Sequence, residues 1–332
     1  MKRRSLLQAT AATAAGLSAF GWLPRAGAQA SYPDRPVVVV LPYAAGGAAD
    51  LFGRRLAARM SEVLKANFVV EAKGGAGGTI GTQFVANSKP NGYTLLLGAT
   101  GSHVINPLTW EAAPFSPLGD FIPIALLTRQ PMVLAANPGL GVKSVADLVT
   151  LLKENPGKYT YASAGAGALG HLTAELFLRA AGGLKAAHAP YKGGSPAMVD
   201  VMAGHVPFVW EVLGAVLPHY RSGKLQVLAV AGEQRAPAMP DVPTTAESGL
   251  QEVVAETNFF LLAPVGTPTS VIDILSKATS TSMETESFQR QLREDAVEPV
   301  TGSSPEKARE FIQQSLDRWR PIVDSLGIKR KG

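Results

Sequence analysis

Hydrophobic positions along the chain alternate between two periods. Short runs rich in Val, Leu and Ile, among them "VVVVL" from Val37, "YTLLLGA" from Tyr93 and "YTYA" from Tyr159, read as strands. Between them apolar residues recur every three to four positions. Phe52, Leu56, Met60 and Val63 share one face while Arg55, Arg59 and Glu62 share another, which predicts an amphipathic helix lying on a sheet. Ser144 and Asp147 resemble a capping box opening a helix through Leu148, Leu151 and Leu152, which Pro156 and Gly157 stop. Leu169, Leu172, Thr173, Leu176, Phe177 and Ala180 mark another helix. Ser304-Pro305 opens a last one with the stripe Ala308, Phe311, Ile312, Leu316 and Trp319, and Pro321 is expected to kink or divide it. Strands alternating with helices predict an α/β architecture.

One device occurs twice, roughly 120 residues apart: a β-rich run breaks into glycines and a helix follows at once. The first copy is "VVVVLPYAAGGAAD", from Val37 to Asp50, and the second is "YTYASAGAGALGHL", from Tyr159 to Leu172. Such a turn aims unpaired backbone N–H groups and the positive end of a helix dipole at one point, which attracts an anion. Gly46 and Gly47 leave room for a ligand to reach the backbone, with Tyr43, Ala45 and Ala48 beside them. Asp50 is expected to cap the helix start, with reception of a ligand ammonium or hydroxyl as the second reading. Ser163, Ala164, Gly165 and Gly167 form the equivalent cradle in the second copy. "KGGAGGTIG" makes a third glycine turn, in which Gly77 and Gly78 serve either a ligand or close backbone packing. Thr100, Gly101 and Ser102 follow a strand end, where open α/β sheets bind ligands. One anion point in each half predicts a two-lobed receptor that closes on a small carboxylate.

Apolar runs at 121–136 and 253–264 are candidates for two strands passing between the lobes. This assigns residues 31–130 plus 256–332 to the first lobe and 131–255 to the second, with a hinge where the chain crosses. Residues 1–30 read instead as an export signal: Lys2, Arg3 and Arg4 precede a weakly apolar run, and cleavage is expected after Ala28 or Ala30. The paired arginines before Ser5, Leu6 and Leu7 look like a twin-arginine signal. The sequence contains no cysteine, which excludes a lipid anchor and a disulfide scaffold and fits the bacterial periplasm.

Charge then narrows the partners. Without Lys2, Arg3, Arg4 and Arg25, the 31 basic residues fall to 27 against 26 acids, so neither nucleic acid nor a membrane surface is expected to bind. Catalytic signatures are thin. Gly165 to Gly170 spell G-x-G-x-x-G, yet no Asp or Glu stands about 20 residues on to hold a ribose. The five histidines lack metal-ligand spacing, and His171 is read as structural. No catalytic residue, cofactor or metal is expected.

The motifs "YPDRPVVVVLPYAAGGAAD", "GGAGGTIG", "NGYTLLLG", "YASAGAGALGHL", "APYKGG", "MPDVPTTAESGL" and "APVGTP", in this order along nearly the whole mature chain, resemble the Bug-type solute receptors of tripartite tricarboxylate transporters. The resemblance implies a type II periplasmic binding-protein fold in which the first and fourth motifs grip a ligand carboxylate from opposite lobes, partly through water. It implies a di- or tricarboxylate, an acidic amino acid or an aromatic acid as ligand, a membrane transporter of one small and one large subunit as partner, and a monomeric receptor. Ala72, Asn91, Pro207, Asn258 and Phe260 depart from the family pattern and are expected to reshape the cleft wall. Two rival readings are a sensory receptor of the same fold signalling to a membrane kinase, and an exported enzyme acting on a carboxylate.

Overall fold

The computed structural model describes residues 32–329; the expected export signal lies outside them. The chain runs β1 (Val37–Leu41), α1 (Ala48–Leu64), β2 (Phe68–Ala72), α2 (Thr79–Ala86), β3 (Thr94–Ala99), α3 (Asn106–Leu108), β4 (Phe121–Leu126), β5 (Thr128–Ala136), α4 (Val145–Glu154), β6 (Thr160–Ser163), α5 (Leu169–Ala180), β7 (Ala187–Pro190), α6 (Gly194–Met202), β8 (Phe208–Val212), α7 (Leu213–Arg221), β9 (Gln226–Val230), β10 (Glu256–Thr257), β11 (Phe259–Pro264), α8 (Thr269–Met283), α9 (Glu286–Glu294), β12 (Glu298–Pro299) and α10 (Pro305–Leu326).

Two sheets organise these elements. The first has the order β2-β1-β3-β11-β4, with β1 parallel to both neighbours and β11 antiparallel to β3 and β4. The second runs β10-β5-β8-β6-β7, with β9 and β12 also paired to β5. Strand β1, an inner strand of its sheet, leads into a helix that covers the sheet and is apolar on both faces, as its four valines illustrate. Helix α1 buries Phe52, Leu56 and Met60, and Phe52 stacks on Phe259 of β11 at 5.4 Å. Its basic face stays outward, where Arg55 pairs with Asp295 and Arg59 with Glu62.

The chain passes between the sheets twice. Strand β4 ends in the first sheet, and β5, one residue later, begins the second; β10 pairs with β5 before β11 returns to the first sheet. Both passages lie in the apolar runs that predicted them. Thr100, Thr128 and Asn258 tie the two passages to the end of β3: Thr100 Oγ1 donates to Asn258 Oδ1 at 3.0 Å, and Asn258 Nδ2 donates to the Thr128 carbonyl. The result is a type II periplasmic binding-protein fold, two α/β lobes with a cleft between them.

Helix α10 adds a third connection. Ser304 caps its start through the Lys307 amide. Ala308, Ile312 and Leu316 pack with Val40, Leu96 and Phe260 of the first lobe, whereas Trp319 and Val323 enter the core of the second with Leu172 and Trp210. Pro321 removes one amide donor without dividing the helix, because packing on both sides of it holds the axis. Replacing the fully buried Ile312 by Ala is expected to cost about 2–5 kcal/mol of stability, seen as a lower urea midpoint with an unchanged slope.

Candidate functional site

Four helix starts converge between the lobes on one cavity of about 70 Å³. A buried water needs about 10–15 Å³ by this measure, so the space suits several waters or a short organic acid. Its wall takes Gly47 and Ala48 from the start of α1, Ala168 and Leu169 from α5, Gly194 and Ser195 from α6, and Val212 and Ala215 from α7. None of these four helices has a side-chain cap, a feature shared with α2, α3, α8 and α9, while Ser144 and Ser304 cap α4 and α10. Their terminal N–H groups and the positive dipole ends therefore face a shared space, each start contributing about 0.3–1 kcal/mol toward an anion. The rest of the wall is largely apolar, with Met132, Met198 and Phe259 prominent.

The predicted residues divide into four groups. Tyr43, Gly47, Ala48, Gly101 and Ala164 line the cavity. Ala45 and Gly46 stand exposed at its rim, where the Asp50 carboxylate accepts the Gly46 amide at 2.9 Å and pairs with Arg54. Asp50 thus braces the turn ahead of the helix through the Gly46 amide, and does not cap the helix start itself. Gly77, Gly78, Gly165 and Gly167 shape the cavity mouth instead of its wall. A Cβ on Gly77, whose φ is +66°, would lie 2.5 Å from the Ala166 carbonyl, and one on Gly165, φ +137°, would lie 3.0 Å from the Gly77 amide. Main chain meets main chain there because no side chain intervenes, which favours the close-packing reading of Gly77. Gly101 meets the Leu169 main chain in the same fashion, whereas Gly47 faces the Ser195 hydroxyl. The lobes are shut against each other.

Thr100, Ser102 and Ser163 are buried with internal partners. Ser102 Oγ closes the turn after β3 through the Ala99 amide. Ser163 Oγ accepts the Gly165 amide at 3.1 Å and lies 2.6 Å from His188 Nε2. A Ser–His pair invites a catalytic reading, but this serine is fully buried and absent from the cavity wall. Tyr161, His171 and His188 stack beneath the turn, and His171 Nδ1 accepts the Gly167 amide at 3.1 Å, so both histidines hold the second glycine turn in shape. Lys192 is exposed. None of Ala72, Asn91, Pro207, Asn258 and Phe260 reaches the wall; Thr257 and Phe259, their neighbours, do.

Ser195 and Glu211 are among the wall residues that escaped the sequence reading. Ser195, in the first turn of α6, has a buried hydroxyl oxygen without a partner. Glu211, the next-to-last residue of β8, is 9 % exposed and is the one formally charged side chain among the described residues on the wall. Burial pushes its carboxyl up to about 7, against the opposing pull of the Val212 amide, which donates to Oε1 at 2.9 Å. A single Glu inside the buried run "FVWEV" was the available signal. Burial also pushes the Tyr43 phenol up to about 12. Among the described residues no cluster of His, Asp or Glu is arranged to hold a metal, and no helix is long and apolar enough to cross a membrane.

Two lobes shut on a cavity rich in backbone donors define a solute-binding protein. The sequence model of the tripartite tricarboxylate transporter family receptors matches residues 52–328, and the chain belongs to that family. Protein BugT of Bordetella pertussis is 35% identical over 91% of this chain and 92% of its own. Periplasmic binding protein BugD superposes with a TM-score of 0.87 at 34% identity, covering 91% of this chain and all of its own. The R. palustris protein Rpa4515, solved with adipate, gives 0.85 at 32% identity over 89% of this chain and 98% of its own.

The buried groups set opposite pH responses. Desolvation lowers His103 and His188 from about 6.5 to about 4, so the unfolded chain takes up their protons first and stability falls as pH drops from 6.5 toward 4. Glu211 is raised, so its contribution is present at low pH and is lost as pH rises from about 4.5 through 7. Urea midpoints at pH 5 and pH 8 are expected to show Glu211→Gln gaining stability relative to the unsubstituted protein on the alkaline side.

Proposed function

We propose that this protein captures a small organic carboxylate in the periplasm by lobe closure and delivers it to a membrane transporter built of one small and one large subunit. The observation that carries the reading is the convergence of four uncapped helix starts on a cavity between the lobes. Charge-assisted bonds from backbone N–H groups near Gly47, Ala48, Ala168 and Leu169 would hold the carboxylate, with water filling what the ligand does not. Tyr43, Gly101 and Ala164 would shape the space around it, and Gly77 and Gly165 would seal the mouth. The adipate bound in the R. palustris relative supports an organic acid as the guest.

In this reading residues 1–30 are an export signal, cleaved after Ala28 or Ala30, and the mature receptor acts as a monomer. Its lobes comprise 31–130 plus 256–332 and 131–255, with the second half of α10 leaning on the latter. Family membership favours a receptor over an enzyme. Titration calorimetry against a panel of mono- and dicarboxylates tests the proposal, with at least one micromolar ligand expected and uniform silence from folded protein counting against it. Gly47→Val is expected to abolish that binding, since its side chain would push against Ser195 across the cleft. Gly47 has an ordinary φ of −93°, so the variant's melting temperature should stay within a few degrees.

A further inference from the structure

The proposed carboxylate does not enter a wall of neutral groups, because Glu211 already occupies one side of it. The position of that side chain is built in. Its Oε1 accepts the Val212 amide, and its Oε2 lies over Gly194, where any Cβ would overlap it. Gly194 therefore has to be glycine for the carboxylate to sit there at all. Ser195, the next residue, adds its unpartnered hydroxyl to the same wall. No Lys, Arg or His stands among the described wall residues, and Tyr43 is the one other titratable group facing Glu211.

Two carboxylates in one desolvated cavity without a cation repel each other. A ligand with a second carboxylate would worsen this, whereas an ammonium next to the ligand's own carboxylate would resolve it by pairing with Glu211. We propose that Glu211 is a specificity-determining residue that receives a ligand ammonium, and that the preferred guest is a zwitterionic amino acid with a short uncharged side chain. The wall supports the second half of the statement: Met132, Met198 and Phe259 offer apolar surface to a side chain and no partner to a second anion.

The inference rests on the carboxylate-receptor reading and is separable from it. Calorimetry would compare L-alanine, L-serine and L-valine with propionate, 3-hydroxypropionate and isovalerate, which lack the amine, and with succinate and adipate. The amino acids are expected to bind about tenfold or more tightly than their amine-free counterparts, the value of one charge-assisted hydrogen bond. Glu211→Gln, which keeps an oxygen for the Val212 amide, is expected to erase that preference while the amine-free acids bind as well or better. Binding of an amino acid at pH 6.5 should also release a proton, read from enthalpies in buffers of different ionisation heat, because the ammonium favours ionised Glu211. A second carboxylate would cause uptake; Tyr43 stays protonated throughout. Tighter binding of succinate, adipate or the amine-free acids, with proton uptake, overturns the role of Glu211 and leaves the carboxylate receptor standing. Silence from every compound overturns both.

Discussion

The approach of main chain to main chain at the mouth of the cleft, Gly77 against Ala166 and Gly165 against Gly77, sets how closely the two lobes can meet. Everything inward follows from that distance. Only when the lobes touch do the starts of α1, on one side, and of α5, α6 and α7, on the other, face a common volume. A single methyl group at either glycine would hold them apart. The anion-attracting character of the site is therefore a property of the shut arrangement and not of either lobe, which is the condition a ligand needs in order to shift a population toward closure.

Around that constraint the structure separates support from contact. Asp50, Ser102, Ser163 and His171 stand off the cavity wall and bind the backbone of the turns that form it, and His188 holds the Ser163 hydroxyl. Such bracing keeps donors aimed with little reorganisation. The wall itself is left mostly to small residues and a few flexible or aromatic side chains, with Ser195 and Glu211 adding side-chain polarity to that of the backbone.

Much of this was legible in the sequence, and the reason is local. Strand-to-helix glycine turns are contiguous signals, and they located Gly47, Ala48, Gly101 and Ala164 on the wall. The two apolar passages between the sheets were equally readable, since each is one uninterrupted run. Ser195, Glu211, Met132, Met198 and Phe259 come from separate elements that only tertiary packing assembles, and nothing near any one of them spells a site. Glu211 was the nearest to visible, as a lone acid in a strand otherwise fit for burial on both faces. Gly77 shows the converse: it belongs to a conspicuous motif, stands off the wall and brings its backbone close to that of Ala166. Pro321 was expected to kink or divide the last helix; it does not divide it, with Leu316 and Trp319 packed before the proline and Val323 after it.

Helix α10 gives the hinge a property that two connecting strands alone would lack. With Ile312 seated in one lobe and Trp319 and Val323 in the other, the helix is a strut across the joint, and any opening must either draw its tail from a hydrophobic socket or bend it midway. The missing amide at Pro321 lies beside that tail, so bending has a place where the backbone ladder is already incomplete. The swing of the lobes is tethered, and the resting gape of the receptor is governed as much by its carboxyl-terminal helix as by the strands that name its fold.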